Sequence, residues 1–145
     1  MNKIRHTGLV TNNLKRSLFF WNKILKFKIK KRALEKGDLI DRIMEYNNSK
    51  VETIKLSDTS GMILEILNFK NAPKQKKNLI KPYSNGFTHI SLTVKDINKI
   101  YKRLKNIRIK FNSEPTKSKD GKVMMTYCKT PEGAYLELVE ELKKI

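Results

Sequence analysis

The stretch IRHTGLVTNNLKRSLFFWNKILKF, residues 4–27, decides the fold, because its pattern returns as FTHISLTVKDINKIYKRLKN at residues 87–106. Each copy opens on a short alternating run carrying a histidine, turns at polar residues and enters an amphipathic helix. In the first copy Leu14, Leu18, Trp21 and Leu25 recur at helical spacing, and Asn12 or Asn13 suits the N-cap. In the second, Asp96 is the capping residue and Ile97, Ile100, Tyr101 and Leu104 repeat along one face. A pattern met twice in one chain predicts two copies of one structural unit.

The segments after each helix repeat as well. VETIKLSD (51–58) and MILEILNF (62–69) flank Asp58-Thr59-Ser60-Gly61, and KVMMTYCKT (122–130) and AYLELVEE (134–141) flank Thr130-Pro131-Glu132-Gly133. Both read as hairpins. A further strand precedes each, around Phe27 to Leu34 and around Ile107 to Asn112. The expected order is therefore β-α-β-β-β twice, an α+β fold within a single domain over residues 1–145. Module one spans 3–70, a linker with Pro73, Pro82 and four lysines spans 71–85, and module two spans 86–142. Between the second and third strands of module one, the DLIDRIMEY portion (38–46) is expected to form a helical turn that covers a site.

Strand side chains point alternately to opposite faces. His89, Ser91 and Thr93 therefore share a face opposite Ile90, Leu92 and Val94. Glu65 lies with Ile63 and Leu67, opposite Met62, Leu64 and Ile66, and Glu137 lies with Tyr135 and Val139, opposite Leu136 and Leu138. The apolar faces are expected under the helices, and the faces carrying histidine and glutamate should line a concave surface. Phe19, Phe20 and Trp21 read as core or helix-packing residues. Tyr127 is a candidate pocket residue, and Cys128 reads as an ordinary strand residue on the other face.

Composition bounds the rest. A formal net charge of +18 raises nucleic acid as a partner, but the lysines are spread over every segment and no nucleic-acid motif accompanies them. Solvated faces explain most of them, and a positive field would draw in a small anionic substrate. One cysteine excludes an internal disulfide and a cysteine-based zinc site. The N-terminus runs straight into a patterned strand rather than a signal peptide, and no apolar run suits a membrane span, so a cytoplasmic setting is expected.

The four segments HTGLVTNNLKRSLFFWNKILKF, MILEILNF, THISLTVKD and TPEGAYLELVE, in that order, resemble the vicinal oxygen chelate superfamily. Its members include glyoxalase I, methylmalonyl-CoA epimerase, extradiol dioxygenases and bleomycin- or fosfomycin-resistance proteins. The resemblance implies that the two βαβββ modules form a curved sheet cup around a divalent metal. It places the ligands at His6, Glu65, His89 and Glu137, and the catalytic base at Glu137 or Glu65, with Glu137 preferred. Two imidazoles and two carboxylates suit nickel, cobalt, manganese, iron or zinc.

The reaction is narrowed by which residues the chain has. Both histidines are assigned to the metal, leaving none for the additional acid–base histidine of extradiol dioxygenases, and Glu65 fills a position those enzymes leave open. Four such ligands resemble glyoxalase I, yet Val10 and Phe69 stand where its glutathione contacts, an arginine and an asparagine, are expected. Methylmalonyl-CoA epimerase is similar in size and layout, though glutamine is common there at the place of Glu65. The resemblance thus implies a metal-dependent lyase, isomerase or epimerase that transfers a proton beside a chelated carbonyl. The positive charge favours an acyl-CoA, a sugar phosphate or a carboxylate as substrate, with Arg5, Arg42 and Lys55 as candidate anion contacts, and the resemblance implies a homodimer. The alternative readings are a ligand-sequestering or resistance protein of the same fold and, further off, a dioxygenase.

Overall fold

A computed structural model describes residues 1–73 and 79–142. Lys74, Lys76 and Lys77 of the expected linker lie outside the described residues. The chain divides into two compact units, Met1–Lys76 and Lys77–Ile145.

Unit one contains β1 (Thr7–Val10), α1 (Leu14–Leu18), β2 (Lys28–Lys36), α2 (Asp38–Met44), β3 (Lys50–Ser57) and β4 (Ile63–Phe69). Its sheet runs β1-β4-β3-β2, with β1 parallel to β4 and the remaining pairs antiparallel. Unit two contains β5 (His89–Thr93), α3 (Ile97–Asn106), β6 (Thr116–Lys117), β7 (Val123–Lys129) and β8 (Tyr135–Glu141), in the order β5-β8-β7-β6. Each unit is a βαβββ module, as the repeat predicts, and the fold is α+β.

The repeat extends to single hydrogen bonds. Thr11 N–H donates to Leu67 O in one unit, and Val94 N–H donates to Val139 O in the other. Lys70 N–H reaches Lys50 O as Leu142 N–H reaches Lys122 O. Both hairpins close alike, through Asp58 N–H to Met62 O and Thr130 N–H to Ala134 O. Gly61 (φ 91°) and Gly133 (φ 92°) take the left-handed corner that a side chain would strain.

The helices begin at the capping residues of the sequence. Asn13 caps α1 by accepting from Arg16 N–H, and Asp96 caps α3 by accepting from Lys99 N–H. Each helix also has its start tied to the last strand of its own module. Asn68 Nδ2 donates to Thr11 O at 2.8 Å, while Glu140 Oε2 accepts from Ile97 N–H at 2.8 Å.

The first helix departs from simple periodicity. After Leu18 it continues as a π-helical stretch, Phe19–Ile24, with Leu25 N–H bonding to Phe20 O. The wider turn brings Phe20 and Trp21 together into the core and swings Phe19 out to 46% exposure, so Phe19 is not the core residue expected. Trp21 then meets Phe20 and Phe27 edge-on. Buried Leu56, Leu64 and Ile66 supply the sheet side of this core, and Ile97, Leu104, Leu136 and Leu138 are fully buried in unit two.

The strand expected over Ile107 to Asn112 is reduced to a bridge, Phe111 to Cys128, with β6 falling later at Thr116–Lys117. Arg108 adopts φ 64°, a left-handed turn that breaks extended backbone, and Pro115 has no N–H to give a ladder. By contrast β2 runs from Lys28 to Lys36 with one register shift between Ile29 and Lys31. The DLIDRIMEY segment does form a helix, α2, held by Asp41, whose carboxylate accepts from Asn48 N–H, Ser49 N–H and Ser49 Oγ.

Candidate metal centre

Each module brings one histidine and one glutamate together by the same device. The parallel pairing of β1 with β4 sets Gly8 opposite Glu65, and His6, just before the strand, falls on the same face. Its Nε2 lies 2.8 Å from Glu65 Oε2. The pairing of β5 with β8 sets Ser91 opposite Glu137, and His89 Nε2 lies 3.9 Å from Glu137 Oε2. In both pairs the carboxylate is the more sheltered partner, its side chain 12% exposed for Glu65 and 18% for Glu137, against 34% and 39% for the histidines. Among the described residues no group of three or more histidine, cysteine, aspartate or glutamate side chains gathers at one point.

The surroundings of the two pairs differ. Thr88 Oγ1 lies 3.0 Å from His89 Nδ1, which gives that nitrogen a partner and leaves Nε2 facing Glu137. Tyr127 stands directly opposite Glu137 in the ladder and meets the His89 ring edge-on at 5.3 Å. Burial and the neighbouring Glu137 carboxylate push the Tyr127 hydroxyl above its usual range, keeping it a protonated donor. Beside Tyr127 lies a hollow of about 270 Å³ lined also by Asn112, Ser113, Thr116 and Met125. In module one the place opposite Glu65 is held by half-buried Lys55.

Cys128 is fully buried on the far face, and burial pushes its thiol up to about 12, which leaves it unreactive. Arg42 lies on α2 and Arg5 is exposed ahead of β1; of the three anion contacts expected, only Lys55 shares a ladder rung with a glutamate of the pairs. Sequence reasoning does not single out Thr88. Its signal is its place next to His89, since a ligating histidine needs a partner for its second nitrogen.

Within each module one imidazole nitrogen and one carboxylate oxygen stand together, donors of borderline hardness suited to a divalent first-row metal. The half-exposed histidines and sheltered carboxylates leave the donor atoms reachable from solvent. That arrangement fits an ion that exchanges water for substrate oxygens.

Comparison with known proteins agrees with the architecture. The model of the Glyoxalase/Bleomycin resistance protein/Dioxygenase superfamily matches residues 3–138. The uncharacterized protein YwbC of Bacillus subtilis is 23% identical, covering 95% of this chain and 97% of its own. A glyoxalase family protein from Bacillus cereus superposes with a TM-score of 0.89 at 19% identity, over 99% of this chain and 96% of that one. The fosfomycin resistance protein FosX of Listeria monocytogenes, solved with Mn(II) and sulfate, gives 0.62 at 14% identity, over 97% and 93%. On the strength of a family match spanning nearly the whole sequence, the chain belongs to the Glyoxalase/Bleomycin resistance protein/Dioxygenase superfamily.

Proposed function

We propose that this protein is a metal-dependent lyase, isomerase or epimerase that moves a proton on the carbon next to a carbonyl. The observation that carries this reading is the recurrence of a histidine–glutamate pair at equivalent places on both modules. On this reading His6, Glu65, His89 and Glu137 are the donors for a divalent ion, and manganese, the ion in the FosX structure, suits donors of this kind. Nickel, cobalt, iron and zinc suit the same donors. When bound, the ion polarises the substrate carbonyl and so stabilises the enolate left by proton removal.

Glu137 is the preferred base. Its sheltered carboxylate takes the proton from the α-carbon and returns it, to the other face of that carbon for an epimerase or to the neighbouring carbon for a glyoxalase-type isomerisation. Tyr127, protonated and opposite, holds that carboxylate's orientation. Glu65 is the alternative base in module one. The substrate is a small anionic carbonyl compound, such as an acyl-CoA, a sugar phosphate or a carboxylate, drawn by the net charge of +18. A cytoplasmic homodimer accompanies this reading, and among the described residues no helix is long and apolar enough to cross a membrane.

The test is Glu137→Gln with metal analysis of protein purified without chelator. Wild type should carry stoichiometric metal and exchange α-protons for deuterium in a panel of sugar phosphates, 2-oxo acids and acyl-CoA esters. The variant should lose both. Full metal and unchanged exchange in Glu137→Gln would sink the proposal, and a metal-free wild type that binds panel members unchanged would favour sequestration.

A further inference from the structure

The module-one side of the site holds a cation that its own sheet does not neutralise. Lys55 stands opposite Glu65 on neighbouring strands, where opposite charges at about 5 Å between Cβ atoms would ordinarily pair. They do not pair here. Glu65 Oε2 is held by His6 Nε2 at 2.8 Å, and among the described residues no carboxylate lies within ion-pair distance of the Lys55 amine. The same rung continues to Lys31 of β2, which faces Lys55, so the row reads Gly8, Glu65, Lys55, Lys31. Gly8 adds no side chain that could screen the row. Most lysines of this chain stand exposed in water, but Lys55 is half-buried between strands, where a lone charge gains more from meeting an anion.

The equivalent place in module two is Tyr127, so the repeat itself does not demand a cation there. We infer that Lys55, backed by Lys31, is the contact for the substrate's anionic group, a carboxylate or phosphate set beside the metal-chelating oxygens. The inference rests on the proposed metal site, because Glu65 is both a donor of that site and the rung partner of Lys55. With the ion on Glu65 and the ammonium opposite, two positive centres flank one gap. A substrate with chelating oxygens at one end and a negative group at the other satisfies both, whereas an uncharged carbonyl compound satisfies one.

The experiment uses three hydroxamates on manganese-loaded protein by titration calorimetry: acetohydroxamate, succinate monohydroxamate and phosphoglycolohydroxamate. They share the chelating head and differ in carrying no charge, a carboxylate or a phosphate on the tail. Wild type should bind a charged-tail compound about tenfold more tightly than acetohydroxamate, the size of one charge-assisted hydrogen bond. The tail with the larger gain names the group. Lys55→Met should erase that gain while leaving acetohydroxamate affinity and metal content unchanged. Lys55→Arg should restore part of it, and Lys102→Met on exposed α3 should change nothing. A gain that persists in Lys55→Met, or is absent in wild type, overturns the inference.

Metal content of the same samples reports separately on the proposed site. Should no metal bind, succinate and inorganic phosphate are titrated into the metal-free protein and followed by amide NMR. Shifts along residues 53–57 and 63–67 in wild type but not in Lys55→Met sustain the anion contact even as the metal reading falls. Their absence overturns it.

Discussion

The two modules have nearly the same hydrogen-bonded frame and different neighbours around it. From His6 to Asn13 and from His89 to Asp96 they run in step, and again from Asp58 to Lys70 and from Thr130 to Leu142. Within that frame the histidine and glutamate recur. The residues beside them do not: Lys55 and Gly8 in module one, Tyr127 and Ser91 in module two. The strand register fixes where a ligand can stand, and the residues around it are free to vary. The surroundings of one histidine–glutamate pair are therefore cationic in character and those of the other aromatic.

The sharpest way to break the comparison is to alter the two glutamates separately. Glu137→Gln should lower proton exchange by on the order of 10²–10⁴-fold, the usual worth of a general base. Glu65→Gln should lose metal with less effect on exchange once manganese is restored in excess. Equal losses under saturating metal would show the modules to be chemically interchangeable. Mixing His6→Ala with His89→Ala protein sharpens the point, since recovery of metal in the mixture would mean that donors come from two chains.

A core substitution asks whether the modules stand or fall together. Trp21→Ala empties the centre of the Phe20–Trp21–Phe27 cluster and should cost about 3–5 kcal/mol in denaturant unfolding. A single transition would mean that the two units unfold as one, and two transitions that module two survives alone. Thr88→Val removes the partner of His89 Nδ1 and should weaken metal binding about 10–100-fold, with Thr88→Ser restoring it. Arg5, the equivalent residue of module one, makes no hydrogen bond to His6, whose Nε2 faces Glu65, so a change there should do little.

The smallest effect concerns α2, which module two lacks. Hydrogen bonds from Asn48 and Ser49 hold the Asp41 carboxyl below its usual 3.8. A carboxyl lowered in the folded state contributes stability that is whole above the ordinary value and lost as pH falls through the folded one. Amide exchange in residues 38–49 should therefore quicken below about pH 4 in wild type, and be quick already at pH 7 in Asp41→Asn.

Much of this is legible in the chain. Two apolar periods, a capping residue before each helix and a glycine in each hairpin corner are local signals, and together they specify the βαβββ order. The histidine–glutamate pairs also come out of alternation once the strands are set. Phe19 escapes such reasoning because a π-helical turn changes which residues share a face, and the expanded hydrogen bonding leaves no mark in an i, i+3, i+4 pattern. The strand after α3 lies later than the pattern suggests because Ile107 and Ile109 look extended, while the left-handed turn at Arg108 is set by its surroundings. Lys55 is one basic residue among many until strand pairing shows which residue faces it.

The links from Asn68 to Thr11 and from Glu140 to Ile97 bear on how such a protein can change over generations. Their strand ends are equivalent, yet the links have opposite polarity, Asn68 donating to a carbonyl ahead of α1 and Glu140 accepting from the first N–H of α3. A copy of β4 grafted in place of β8 would set the shorter, uncharged asparagine where a glutamate now reaches the start of α3. After a duplication, then, the heritable part is a strand together with the helix start it ties, and recombination that separates the two should yield chains that fold poorly.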